Sequence, residues 1–291
     1  MNTLSLFELE CKFQTLINEN NLEPRKRGPL PKLSLAKMAV ICVARAWFGV
    51  RSWKAFFSNQ LIKQGWKALG GFELCSYSRF ILRLRNVGKV LESWLSSQLL
   101  SWTGLGAVDS TLVALGRSWL REDRSKYKAL RKAGASSGYG STGPCFGVKL
   151  HLAIRDDGQV HAFQITPAKT HDLDFIKQGF LDQALGIILA DSGYLSKQES
   201  ERLQEKSIAL WARPRKKSEQ QFTPVQARLY RYREVVEGVF AKMKQSFGLV
   251  PNWPPRHMET VRAHVLGSLV AYVIDQNKPK MNWAFHNFGV K

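Results

Sequence analysis

Acidic residues are scarce in this chain of 291 residues. Asp and Glu number 23 and Lys and Arg number 43, so the formal net charge is +20 at pH 7. Such an excess of positive charge favours a polyanionic partner, either a nucleic acid or an anionic membrane surface. Hydrophobic residues still make up 44% of the sequence. They supply a core and exclude a wholly disordered basic tail.

Cysteine and long apolar runs are also in short supply. The four cysteines include no Cys-x-x-Cys pair, which argues against a zinc ribbon and against a disulfide framework. The most apolar runs, Met38–Val50 and Val265–Ile274, are too short to span a bilayer. Acidic residues interrupt Met1–Leu30, where a signal peptide would have its apolar segment. We therefore expect a reduced, cytoplasmic protein. No amphipathic basic helix with exposed aromatics is evident, so we expect no membrane partner.

The N-terminal region has the residue spacing of amphipathic helices. Predicted helices begin after Ser34 and after Ser76, because serine is suited to cap a helix amino terminus, and the second continues to Leu100. Arg79 and Arg83 lie four residues apart near the start of that second helix, on one face. The arrangement is compatible with a helix-turn-helix module that contacts DNA, and also with a helical bundle whose arginines face solvent.

From residue 105 the pattern changes to mixed strands and helices. Phe146–Ile154 and Gln159–Thr166 flank an Asp-Asp-Gly turn and predict a hairpin, whereas Gly134–Gly143 is rich in Gly and Ser and predicts a mobile loop. The other predicted elements are strands at Leu105–Leu115, Leu185–Ala190 and Ile208–Ala212, and helices at Asp172–Ala184, Ser196–Lys206, Gln226–Phe247 and Met258–Asp275. This order predicts an α/β domain with one sheet flanked by helices.

Three acidic residues of this region have distinctive positions. Asp109 lies within an apolar strand, where an acid needs a partner, and Asp191 directly follows another apolar strand. Carboxyl ends of strands are where α/β folds place ligands. Glu237 lies in the predicted long helix. If the three carboxylates converge, their oxygens suit Mg²⁺ or Mn²⁺, and a pair of such ions can promote phosphodiester cleavage or transfer.

The predicted long helix carries a polar stripe. Tyr230, Arg233, Glu237 and Lys244 are spaced by 3, 4 and 7 residues, which places them on one face at about 3.6 residues per turn. In one interpretation, Glu237 ligates a metal while the two cations hold phosphates. A ladder of intrahelical salt bridges is the alternative, and the spacing taken alone favours it.

The stripe and its neighbours resemble bacterial insertion-sequence DDE transposases. Tyr230-x2-Arg233-x3-Glu237-x6-Lys244 matches the Tyr-Arg-Glu-Lys signature of that family at all four positions. Other segments look like the two aspartate motifs of the family and the strand that follows the first: Asp109-Ser110-Thr111, Asp191-Ser192-Gly193-Tyr194 and Gly147-Val148-Lys149-Leu150-His151. The combination is specific, although each motif alone is weak.

The resemblance implies a ribonuclease-H-like mixed sheet flanked by helices, with an N-terminal all-α DNA-binding region. It carries over Asp109, Asp191 and Glu237 as a catalytic triad that binds Mg²⁺ or Mn²⁺, with two ions expected. The expected DNA-contacting residues are Arg233, Lys244, Tyr230 and Lys149, joined by Arg79 and Arg83 of the N-terminal helices. The expected domains are residues 1–104 for DNA binding, 105–275 for catalysis and 276–291 as a C-terminal tail.

An enzyme of this kind would bind the terminal inverted repeats of its element, cleave the ends and transfer the 3′-hydroxyl to target DNA. It would act on double-stranded DNA in the nucleoid, as a homodimer or higher oligomer. Two alternatives stay open: a metal-dependent nuclease on the same fold, and an inactive transposase-derived DNA-binding protein. Glu234 is an alternative third carboxylate, but its spacing to Arg233 and Lys244 does not match the signature.

Overall fold

The structure, a computed structural model, describes residues 5–23, 33–59, 75–99, 102–117, 125–140, 143–215, 221–253 and 255–281. Within those ranges, no helix is both long and apolar enough to cross a bilayer. The chain divides into two compact units. The first comprises Met1–Gln98, Leu112–Val148 and Lys242–Gln276, and the second comprises Leu99–Thr111, Lys149–Ala241 and Asn277–Lys291. The domain boundaries expected after residues 104 and 275 stay a prediction.

The helices and strands have the following bounds. The helices are α1 (Leu6–Glu19), α2 (Leu35–Trp47), α3 (Trp53–Ser58), α4 (Tyr77–Leu84), α5 (Val87–Gln98), α6 (Ser125–Lys132), α7 (Leu173–Lys177), α8 (Lys197–Glu205), α9 (Pro224–Tyr230), α10 (Glu234–Gln245) and α11 (Met258–Ile274). The strands are β1 (Trp102–Arg117), β2 (Ser136–Gly140), β3 (Gly143–Arg155), β4 (Val160–Pro167), β5 (Ala184–Ala190) and β6 (Ile208–Ala212). Short 3₁₀ turns lie at Ser192–Tyr194 and Arg231–Arg233.

A mixed six-stranded sheet has the order β2-β3-β1-β5-β6, and β4 pairs with β3 beside that path. β5 pairs in parallel with β1 on one side and with β6 on the other. The hairpin of β3 and β4 lies on one side of β1, and the parallel strands β5 and β6 lie on the other side of β1. This is the arrangement of a ribonuclease-H-like sheet. The predicted fold class, a mixed sheet with flanking helices and a helical N-terminal region, is therefore confirmed.

The core of the first unit is built around α2 and α11. Both helices are apolar on nearly every side, so both are buried, and they pack against each other and against α5. Gly267 allows the close approach, because a Cβ at this position would lie 2.9 Å from the backbone carbonyl oxygen of Cys42. The N-terminal helices thus share one core with a helix from near the end of the sequence.

A buried arginine crosslinks this core. Arg45 of α2 is fully buried, and its guanidinium donates to the carbonyl oxygens of Val50 at 2.7 Å and of His264 at 3.0 Å. It also donates to the hydroxyl of Ser268 at 2.8 Å. Burial lowers the pKa of Arg45 to about 9. These hydrogen bonds offset part of the cost of removing the charge from water, so α2, α11 and the turn after α2 depend on one side chain.

Several helices and strands differ from the sequence prediction. The helix expected to continue to Leu100 is divided into α4 and α5 by a turn at Arg85 and Asn86, since asparagine favours turns. The helix expected over Asp172–Ala184 is only α7, which ends at Lys177, because Gly179 takes a φ of +78° just beyond that end. The segment expected to be a mobile loop contains β2, which pairs with β3 through backbone hydrogen bonds that need no apolar side chains.

We predict that Arg45→Ala lowers the free energy of unfolding by at least about 3 kcal/mol, because two carbonyls and a hydroxyl lose a buried donor. Arg262→Ala in α11 is the matched control. Arg262 pairs with Glu92 of α5 at 2.7 Å, but both side chains are exposed by a third or more, so we expect a loss below about 1 kcal/mol. Urea denaturation of the two variants measures both values, and equal losses would contradict the role of Arg45.

Candidate active site

Asp109 and Asp191 lie at neighbouring positions of two parallel strands. β1 and β5 are in register as far as the pair formed by Val108 and Ala190, and each aspartate is the next residue along its segment. Each carboxylate accepts a hydrogen bond from the backbone N–H of the serine that follows it, at 2.8 Å for Asp109 and 2.7 Å for Asp191. The fold thus brings the two predicted acids together at the carboxyl end of β5.

Asp109 lies in a largely buried position, which disfavours a charged carboxylate. Its side chain is 21% exposed, and burial raises its pKa above the usual value. The backbone N–H of Ser110 and the guanidinium of Arg233 oppose that shift, because both stabilise the ionised form. Positive charge held next to Asp109 therefore favours its ionised form.

Arg233 supplies that charge and links two of the predicted acids. Its Nη1 contacts Oδ2 of Asp109 at 2.9 Å, and its Nη2 contacts Oε1 of Glu237 at 2.5 Å. The Arg233 side chain is 14% exposed, whereas that of Glu237 is 56% exposed. The Arg233 guanidinium thus connects Glu237 to Asp109, because it contacts both carboxylates. The intrahelical salt bridge that the spacing favoured is present, and it extends to β1.

A 3₁₀ turn explains how Tyr230 and Arg233 come to the same side. The predicted continuous helix over Gln226–Phe247 is interrupted at Arg231–Arg233, between α9 and α10. Residues three apart eclipse one another in a 3₁₀ turn, whereas in an α-helix they are offset. The Arg233 guanidinium accordingly lies 6.0 Å from the centre of the Tyr230 ring. The Tyr230 hydroxyl donates to the Ala190 carbonyl at 3.1 Å, so it supports the residue just before Asp191.

A pocket of about 570 Å³ opens beside these residues. Its lining includes Arg213, Phe222, Tyr230, Arg231 and Glu237. The rings of Phe222 and Tyr230 contact each other with centroids 5.0 Å apart. The pocket therefore presents guanidinium groups and aromatic surface next to Arg233, which contacts both Asp109 and Glu237.

The sequence interpretation missed Asp172. Its Oδ1 accepts hydrogen bonds from the Ser110 hydroxyl at 2.7 Å and from the Lys149 ammonium at 2.9 Å. Lys149, expected to contact DNA, is only 14% exposed and also donates to the Thr170 carbonyl at 2.8 Å. A lysine inside an apolar strand needs an anion, and that requirement was the one available signal for an acid such as Asp172.

The remaining predicted DNA-contacting residues lie in the first unit. Arg79 is exposed on α4, and Arg83 of the same helix is half-buried, with its pKa lowered by burial. Lys244 is exposed in the last turn of α10, the helix that also carries Glu237. Positive charge at a helix carboxyl terminus is electrostatically favourable, so the placement of Lys244 has a structural reason as well.

The carboxylates suit an oxygen-preferring divalent cation. Across the part of the chain that the structure describes, no three His, Cys, Asp or Glu side chains are close enough to hold a metal ion. Asp109 and Asp191 are adjacent in register, and Glu237 shares a guanidinium with Asp109. Carboxylate oxygens are the ligands that Mg²⁺ and Mn²⁺ prefer, and a cationic group already lies between two of them.

Comparisons with solved structures return DNA-bound transposases. The piggyBac transposase synaptic complex with hairpin DNA is 10% identical, with a TM-score of 0.48, and the match covers 93% of this chain and 74% of that chain. The Mos1 strand transfer complex is 12% identical, with a TM-score of 0.31, and the match covers 90% and 81%. TM-scores below 0.5 do not establish a shared fold. Among curated proteins, none is significantly similar to this sequence.

The sequence itself gives the family. The family profile described as the transposase DDE domain matches residues 100–250, which is more than half of the 291 residues. The matched range contains β1 with Asp109, β5 followed by Asp191, and α10 with Glu237. The chain therefore belongs to the transposase DDE domain family.

Proposed function

We propose that the chain is the transposase of a bacterial insertion sequence. It binds the terminal inverted repeats of its element, cleaves the ends and transfers the freed 3′-hydroxyl to target DNA. The observation that carries the proposal is the Arg233 bridge between Asp109 and Glu237, next to Asp191 and within the matched DDE domain. The Tyr-Arg-Glu-Lys spacing supports assignment to the insertion-sequence type.

Asp109, Asp191 and Glu237 would hold Mg²⁺ or Mn²⁺, with two ions expected. When bound, such ions activate a water or a 3′-hydroxyl and stabilise the leaving oxygen. Arg233 favours the ionised form of Asp109, because it opposes the burial that raises the pKa of that carboxyl. Tyr230 holds the backbone before Asp191. Arg233 and Tyr230 thereby hold the candidate site in place.

The basic residues near the carboxylates would contact the DNA backbone. Arg233 and Tyr230 line the pocket beside Glu237, and a guanidinium suits bidentate contact with phosphate. Lys244 follows on the same helix. For Lys149, the ion pair with Asp172 supports a role within the protein instead of on DNA. A net charge of +20 makes DNA binding fall steeply with added salt.

The N-terminal helices would recognise the ends of the element. Arg79 is exposed on α4, one turn before Arg83, so the two lie on one face of a short helix. Contacts to phosphates from this face would position the chain, and contacts to base edges would give sequence preference. Because two ends of the element have to be bound and joined, we expect a homodimer or higher oligomer on DNA.

We predict that Asp109→Asn lowers the rate of end cleavage at least about a hundredfold, because the amide removes a charged ligand. End binding, measured by electrophoretic mobility shift, stays within about threefold, since the basic surface is unchanged. Asp157→Asn, in the turn between β3 and β4, is the matched control and keeps the wild-type cleavage rate. The substrate is linear DNA that carries the gene with its natural flanking sequence, assayed with Mg²⁺ and with EDTA.

The same assay separates the alternatives. Cut ends without joined product in the wild type would indicate a nuclease on the same fold. Tight end binding without cleavage would indicate an inactive transposase-derived protein. Cleavage by Asp109→Asn at the wild-type rate, or full activity in EDTA, would refute the metal-dependent mechanism that we assign to these carboxylates.

A second prediction concerns the support that Tyr230 gives to Asp191. Tyr230→Phe removes one hydrogen bond to the Ala190 carbonyl, which also accepts from the backbone N–H of Arg213 at 3.1 Å. We expect the free energy of unfolding to fall by about 0.5–1.5 kcal/mol and the cleavage rate to fall about tenfold. Tyr139→Phe is the control, because Tyr139 is 85% exposed. If denaturation and cleavage assays show no difference between the two variants, the supporting role of Tyr230 is contradicted.

A further inference from the structure

Asp172 contacts the residue that follows Asp109. It lies between β4 and α7, and its Oδ1 accepts from the Ser110 hydroxyl at 2.7 Å. Ser110 is also the residue whose backbone N–H donates to the Asp109 carboxylate. One serine therefore connects the two acids, through its backbone to Asp109 and through its side chain to Asp172.

Asp172 also lies against the turn that follows Asp191. Its Oδ2 is 3.4 Å from the point that a Cβ on Gly193 would occupy, so the carboxylate packs on the backbone of that turn. The next residue, Tyr194, is fully buried. Burial raises the pKa of Tyr194, and the nearby charges of Asp172 and Asp109 raise it further. Asp172 therefore lies close to the segments after both predicted metal-binding aspartates.

Lys149 fixes Asp172 in this position. Its ammonium donates to Oδ1 of Asp172 at 2.9 Å and to the Thr170 carbonyl at 2.8 Å, which holds the segment before α7. His151, two residues further along β3, is buried with its Nδ1 3.9 Å from Asp172. Burial lowers the pKa of His151 to about 4, so this ring is neutral near pH 7. The positive partner of Asp172 on β3 is therefore Lys149.

We propose that Asp172 is a positioning residue for the two catalytic aspartates. It ties Ser110 on β1 to the turn at Ser192–Tyr194 and so sets the separation of Asp109 and Asp191. The inference rests on the proposed function, since it takes those aspartates to be metal ligands. A carboxylate is required because a hydroxyl and an ammonium converge on one oxygen. An amide oxygen accepts more weakly and leaves the largely buried Lys149 without a counter-charge.

Asp172→Asn tests the proposal, with Asp182→Asn as its matched control. Asp182 is also about a quarter exposed and binds two cations, Arg202 at 2.7 Å and Lys206, but these contacts involve neither Ser110 nor the turn after Asp191. Both variants should lower the melting temperature by similar amounts. Binding of Mn²⁺ to the protein on end DNA, measured by electron paramagnetic resonance, should weaken about tenfold or more in Asp172→Asn alone.

A double-variant cycle tests the route through Ser110. Ser110→Ala keeps the ion pair between Asp172 and Lys149 and removes only the hydroxyl, so it serves even if Asp172→Asn fails to fold. We expect a smaller loss of Mn²⁺ affinity, about threefold, and a parallel rise in the Mn²⁺ concentration needed for half-maximal cleavage. The two substitutions together should weaken Mn²⁺ binding no more than Asp172→Asn does alone, because both act on the same hydrogen bond between Ser110 and Asp172.

The outcomes distinguish this inference from the function on which it rests. Wild-type Mn²⁺ affinity in both Asp172→Asn and Ser110→Ala would overturn the positioning role. Equal losses of affinity in Asp172→Asn and Asp182→Asn would also overturn it, since they would indicate a general effect on stability. If the wild-type complex does not bind Mn²⁺, or if Asp109→Asn leaves its Mn²⁺ binding unchanged, the proposed function fails instead.

Discussion

The double salt bridge of Arg233 is the interaction on which the candidate site depends. One guanidinium joins Asp109 on β1 to Glu237 on α10, and its place near Asp109 follows from the 3₁₀ turn before α10. Without a cation, a largely buried carboxylate on a strand favours its neutral form. The same contact therefore favours the charged form of Asp109 and holds the helix that carries Glu237 next to the sheet.

Around that bridge, each acid has a distinct environment set by backbone geometry. Asp109 and Asp191 are adjacent because β1 and β5 are parallel and in register, and each is oriented by the backbone N–H of the next residue. Tyr230 supports the end of β5, and Asp172 supports the residue after Asp109. In a chain with 43 basic and 23 acidic residues, Asp109 and Asp191 lie together at the carboxyl end of β5, where the proposed chemistry on DNA would take place.

Local patterns predicted much of this arrangement. The hairpin of β3 and β4, the short strands β5 and β6, and Asp191 after β5 all follow from apolar runs bounded by turn residues. The break between α9 and α10 was not predictable in this way. At that break the Tyr230 hydroxyl donates to a carbonyl 40 positions away, and such a tertiary contact leaves no periodic signal. Asp172 was missed for the same reason, since its partner Ser110 is 62 residues distant. β2 was missed because its Gly- and Ser-rich residues form a strand only through pairing with β3.

The most direct test of the proposed function is the position of the metal. Crystals of the protein bound to its own end DNA, soaked in Mn²⁺, give an anomalous difference map at the manganese absorption edge. We expect peaks bonded to the carboxylates of Asp109 and Asp191, with the Arg233 guanidinium displaced from Asp109 and Glu237 turned toward the ions. Manganese bound elsewhere, with the Arg233 bridge intact and DNA in place, would contradict the assignment of these acids as the metal-binding triad.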